Sequence, residues 1–166
     1  WVLDLASGRL SQLGGDAPAA SLMFAKFSPD GTRVAWVRAN NLYVEAIATG
    51  AITPLTTSGS ATVINGTSDW VYEEELGVRD GFRWSPDGRR IALELQVLGK
   101  RLLALTGPEL LGFVPFDDAL DQAPAWAPDG TALYYSSDRS GIFNVHRFRF
   151  GSRARYAGDD GIPGCI

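Results

Sequence analysis

Glu73, Glu74 and Glu75 are three consecutive carboxylates set directly behind Asp69-Trp70-Val71-Tyr72, a concentration of acid that the 166-residue chain does not repeat. A strand would send Glu73 and Glu75 to one face and Glu74 to the other, whereas a helical turn lets two neighbours converge. Nearby carboxylates repel and raise each other's pKa unless a cation lies between them. The run is therefore either an acidic loop facing water, the common fate of charge runs, or a seat for a positive partner.

Other residues that could do chemistry have simpler readings. His146 is the sole histidine and falls in a strand pattern with Phe143, Val145 and Phe148, where a structural role outweighs metal binding for want of co-ligands. Asp30, Asp87 and Asp129 suggest a calcium loop only until their common turn sequence is noticed; no metal or other cofactor is called for. Asn65-Gly66-Thr67 fits both a glycosylation acceptor and an Asn-Gly turn. Cys165 is alone, so no internal disulfide can form.

The elements that would position the acidic run are strands. Val2 to Leu5, Met23 to Phe27, Arg33 to Arg38, Leu42 to Ala46 and Ile52 to Thr56 alternate or run apolar between tight turns. Ser28-Pro29-Asp30-Gly31 is a turn in which Pro presets φ at the second position and Gly suits the fourth. It returns at Ser85-Pro86-Asp87-Gly88, 57 residues on, and as Ala127-Pro128-Asp129-Gly130 after a further 42. An aromatic precedes each copy: Phe27, Trp84 or Trp126. Trp36, Trp84 and Trp126 read as core residues at equivalent places in the repeat.

A period of about 40 to 45 residues with four strands per repeat predicts β-propeller blades. The fold class is all-β: a partial β-propeller of about three four-stranded antiparallel blades, with a short helical or turn insertion at Asp69–Glu75. The boundaries run as a blade edge over 1–14, a blade over 22–57, the insertion over 60–80 and blades over 81–114 and 123–150. Arg101 to Leu105 and Leu110 to Val114 suit strands or a short leucine-rich helix, hinged at Thr106-Gly107-Pro108. Asp117 to Gln122 reads as loop, and 151–166 as a disordered tail.

Composition narrows the function classes. The chain is 45% hydrophobic and 20% charged, as in globular proteins, and 15 Lys and Arg against 19 Asp and Glu leave a net charge of −4. Without a basic run, phosphate-backbone binding is not its task, so nucleic acid is not an expected partner. No apolar run approaches the ~20 residues of a membrane span, and no signal peptide leads the chain. It opens at Trp1 in mid-pattern, which reads as a fragment of a longer protein.

Asp69 to Glu75, followed by Gly81-Phe82-Arg83-Trp84-Ser85-Pro86-Asp87-Gly88, closely resembles the N-terminal β-propeller of the dipeptidyl peptidase IV family of serine peptidases. Met23 to Leu95 resembles that family throughout, and Ala123 to Phe150 resembles the Tricorn and Tol-type WD40-like propeller repeat. The resemblance implies that Glu74 and Glu75 bind the free N-terminal amine of peptide substrates, gating proteolysis, with Asp69, Trp70, Tyr72 and Glu73 as supports. Trp70 and Tyr72 would pack the turn that aims the glutamates.

No catalytic residue falls on this chain: Gly-x-Ser-x-Gly is absent and His146 has no such serine nearby. The resemblance assigns the chemistry to a C-terminal α/β-hydrolase domain, which together with the remaining blades lies on residues this chain does not contain. It also allows a homodimer in the full-length protein and implies a periplasmic, secreted or envelope-associated location. The alternative function is a Tol-type propeller that scaffolds a protein partner and hydrolyses nothing.

Overall fold

The computed structural model describes residues 1–77, 79–97, 100–107, 110–113, 121–138, 140–149 and 160–161, with backbone alone at 76, 100–107, 110–113, 121–122 and 160–161. Its elements are antiparallel strands and one short helix. Val2–Leu3 (β1) and Leu10–Ser11 (β2) form a two-stranded ribbon. Met23–Phe27 (β3), Arg33–Arg38 (β4), Asn41–Ala46 (β5) and Ile52–Pro54 (β6) form a four-stranded meander, the first blade.

Val63–Asn65 (β7), Trp70–Leu76 (α1), Phe82–Trp84 (β8), Ile91–Val97 (β9), Lys100–Gly107 (β10) and Leu110–Phe113 (β11) build the second blade. Asp121–Trp126 (β12), Ala132–Ser137 (β13), Asn144–Arg149 (β14) and Asp160–Gly161 (β15) build the third. The partial propeller expected from the repeat is thus present as three consecutive meanders.

The Ser-Pro-Asp-Gly turns are closed alike. The Gly31, Gly88 and Gly130 amides each donate to the carbonyl three residues back, all at 2.9 Å. The Ser28 and Ser85 hydroxyls donate to Asp30 and Asp87 Oδ1 at 2.6 Å, and Asp30 and Asp129 also accept from the Thr32 and Thr131 amides at 3.1 and 3.0 Å. These carboxylates are spent on their own turns, which accounts for them without calcium.

The apolar cores lie between blades, because each sheet buries a face against the next. In β9, Ile91 and Leu93 turn to the first blade, joining Ala35, Val37, Leu42 and Phe82, while Ala92 turns to Leu133, Tyr135 and Phe148 of the third. Each fully buried large side chain in such a core stabilises by about 1.5–3 kcal/mol.

Several sequence expectations are corrected. Trp36 is not the counterpart of Trp84 and Trp126: it lies mid-strand in β4, fully buried, stacked on Tyr43 at 4.6 Å and donating to Glu45 Oε2 at 3.3 Å. The true counterpart, Phe27, is 55% exposed. For the leucine-rich segment the strand alternative is the one found, β10 pairing with β11, Ala104 to Gly107 against Phe113 to Leu110; of the expected hinge Thr106-Gly107-Pro108, Thr106 and Gly107 end β10 and Pro108 lies outside the described residues. Asp121 and Gln122, expected in a loop, pair with Ser137 and Ser136 as the start of β12. Of the tail, 160–161 pair with β14 and the remainder lies outside the described residues.

Candidate functional site

The acidic run sits on a helix that interrupts a strand. β7 pairs with the far end of β9, Asn65 opposite Leu95, and β8 resumes on the same side of β9, Phe82 opposite Leu93. Glu94 stands opposite the gap, its carbonyl accepting from Gly66 N–H at 2.8 Å and its N–H donating to the Gly81 carbonyl at 2.6 Å. The excursion is therefore narrower than residues 60–80, because Val63–Asn65 already belong to the sheet.

Its neck is closed by Gly81 N–H to Gly66 O at 3.0 Å, a bridge between Thr67 and Asp80, and Thr67 Oγ1 donating to the Arg79 carbonyl at 3.0 Å. Two glycines permit this approach. Gly66 has φ +75°, and a Cβ at Gly81 would stand 3.2–3.3 Å from Glu94 Cβ and the Gly66–Thr67 backbone.

The helix itself is short and capped at both ends. Asp69, in an extended conformation, accepts from Tyr72 N–H at 3.0 Å, and Gly77 at φ 64° returns its N–H to the Tyr72 carbonyl. Asp69 is also tied to the sheet: its N–H donates to Gln96 Oε1 at 3.3 Å, and Gln96 Nε2 donates to Asp69 Oδ2. Gln96 is 5% exposed on β9. Sequence reasoning passes over it, although Glu94 and Gln96 stand two apart in an otherwise apolar strand, a spacing that marks polar side chains with specific partners.

The glutamates divide. Glu73 lies 3.6 Å from Arg79 Nε in an exposed ion pair worth little energy. Glu74 and Glu75 are exposed, and among the described residues neither has a hydrogen-bond or ion-pair partner. Tyr72 is half-buried, but Trp70, expected to pack the turn, is 70% exposed; Asp69 and Gln96 do the holding.

A cationic clamp on the first blade holds the return of the excursion. Lys26 Nζ pairs with Asp80 Oδ2, which also accepts from Arg83 Nη1 at 3.1 Å, and donates to the Phe82 carbonyl at 2.9 Å. Burial pushes the Lys26 ammonium below its usual range, while Asp80 works against that shift.

The remaining candidates are structural. His146 is buried opposite Tyr135, ring centroids 5.8 Å apart. Asn65 is buried at the end of β7, and its Nδ2 donates to the Asn40 carbonyl at 2.8 Å, so the amide is closed to glycosylation in the folded chain; Asn-Gly, also expected as a turn, is instead a strand end followed by a bend. Among the described residues no group of His, Cys, Asp and Glu could hold a metal ion.

The chain is similar to known proteins. The chain is 42% identical over 93 residues to a probable dipeptidyl peptidase 4 of Aspergillus clavatus, covering 55% of this chain and 12% of that protein. A probable dipeptidyl-aminopeptidase B of Arthroderma otae is 29% identical over 130 residues, covering 78% and 13%. The chain thus spans about an eighth of the length of these relatives.

Among solved structures, Porphyromonas gingivalis dipeptidyl peptidase 4 superposes with a TM-score of 0.69 at 21% identity, covering 86% of this chain and 26% of that one. TolB from Acinetobacter baumannii superposes at 0.53 with 20% identity, covering 79% and 30%, a likeness of fold. The family model for the dipeptidyl peptidase IV N-terminal region matches residues 1–95, more than half of the chain and all of the excursion with its neck, so the chain belongs to that family.

Proposed function

We propose that this propeller segment binds the free N-terminal amine of peptides through Glu74 and Glu75, as the noncatalytic part of a dipeptidyl-peptidase-IV-like serine peptidase. The observation that carries the proposal is the pair of exposed carboxylates, without a partner among the described residues, on a helix tied down at its cap and its neck. Adjacent helical residues stand about 100° apart round the axis, and the flexible glutamate side chains let the two carboxylates converge on one cation from two sides. An ammonium offers three donors, and two carboxylates accept all of them. Fixing the amine fixes how far the peptide reaches, so that a hydrolase domain elsewhere in the longer protein would cut at a set distance from the N-terminus.

The test is an NMR titration of the chain with an Xaa-Pro dipeptide and with its N-acetylated form. The free-amine peptide should shift the Glu74 and Glu75 side-chain resonances, E74Q and E75Q should abolish the response, and E73Q should keep it. Equal responses to the two peptides would overturn the proposal. Under the alternative reading, a Tol-type protein-binding scaffold, neither peptide is bound.

A further inference from the structure

We infer that Gln96 is the positioning residue for the glutamate pair, acting through Asp69; the inference rests on the amine-binding reading above. Seven residues make about two helical turns, too few for a stable orientation without outside attachments. At the N-terminus the attachment is Asp69, whose carboxylate is used on both sides: Oδ1 accepts from Tyr72 N–H, closing the cap, and Oδ2 accepts from Gln96 Nε2. The Asp69 N–H completes a reciprocal pair by donating to Gln96 Oε1.

Gln96 is itself held in the sheet. It is buried, with its backbone registered between Ile64 on β7 and Arg101 on β10. The link thus runs from the middle of a sheet to the helix cap. Glu74 and Glu75 lie five and six residues beyond Asp69, about 8–9 Å along the axis at ~1.5 Å per residue. A tilt of about 10° at the cap would displace their carboxylates by over ~1 Å, enough to spoil a hydrogen-bonded seat.

The chemistry requires an amide at position 96. Glutamate has the same shape but no N–H to give, and it would set a second anion against Asp69. The pairing can be reversed, however. In D69N/Q96E the amide now at position 69 would donate to the carboxylate now at position 96. The oxygen of that same amide would still cap Tyr72, since asparagine and aspartate are comparable N-caps.

The experiment measures two quantities on the same chains: hydrogen exchange of the Tyr72 amide, with the Leu93 amide of β9 as a reference for intact folding, and affinity for the free-amine dipeptide. Q96E should speed Tyr72 exchange and weaken the dipeptide by about tenfold each, leaving Leu93 protected, and D69N/Q96E should restore both. A merely structural role for Gln96 would not give recovery by the reversed pair. Unchanged Tyr72 exchange in Q96E, or no recovery in the double variant, overturns the role of Gln96. Exchange that responds and recovers while the parent chain takes up neither peptide overturns the amine-binding reading and leaves the clamp on the helix standing.

Discussion

The indole N–H of Trp84 donates to the backbone carbonyl of Lys26 at 3.1 Å, crossing from the second blade to the first. Trp126 repeats the contact one blade further, donating to the Arg83 carbonyl at 3.2 Å. Lys26 and Arg83 occupy the same place in the repeat, two residues before the turn serine. The tryptophan ahead of the second and third turns is thus an inter-blade tie as well as a packing residue. Trp84→Phe keeps an aromatic ring and loses the donor, which should lower stability by about 1 kcal/mol. A urea midpoint equal to that of the parent would show that the tie contributes nothing.

Lys26 joins the first blade to the neck of the excursion. Lys26→Met retains an unbranched apolar stem but leaves both the Phe82 carbonyl and Asp80 with Arg83 Nη1 as their one remaining side-chain donor among the described residues. The expected loss is about 1–2 kcal/mol in the same urea measurement, with faster exchange of the amides around Asp80. An effect confined to the first blade would count against the clamp.

Gly81→Ala should be worse tolerated than Gly77→Ala. A Cβ at Gly81 would press on the Gly66–Thr67 backbone and on Glu94 Cβ, forcing the neck apart. At Gly77 a Cβ would meet nothing within 4 Å, and the cost is the left-handed conformation, about 1 kcal/mol. Thermal unfolding of the two variants should place Gly81→Ala lower.

The Asp30 carboxyl, held by the Ser28 hydroxyl first and then by Thr32, is lowered to about 2. Its folded-state pKa lies below the unfolded one of about 3.9, so its contribution to stability is present above pH ~4 and is lost as the pH falls toward 2. Ser28→Ala should raise the Asp30 pKa toward its ordinary value and reduce the acid sensitivity in that window. Carbon-detected NMR titration of the Asp30 carboxyl decides the point; an unmoved pKa would reject the hydroxyl as its main cause.

Much of this is legible in the sequence because turns are local. Ser-Pro-Asp-Gly carries its own φ preferences and hydrogen bonds within a few residues, so three copies announce three blades. Asp69 and Gly77 likewise delimit a helix from its own ends. Sequence reasoning fails where a partner lies far along the chain: Gln96 is 27 residues from Asp69, and Lys26 is 54 from Asp80. Residue type groups Trp36 with Trp84 and Trp126, although strand register assigns it to a different layer. The resemblance implies a packing role for Trp70, which is 70% exposed, while the cap bonds of Asp69 hold the helix.

The pairing of Gly66 with Gly81 across Glu94 has a consequence for how such a protein can change. The strand leaves the sheet and re-enters it one partner later, so the number of residues in between does not set the alignment of β8 on β9. Chain inside the neck, beyond the Thr67–Asp80 bridge, can be lengthened or shortened while the blade around it keeps its place. The reach of the glutamates is therefore adjustable on its own, like a tool held in a fixed socket.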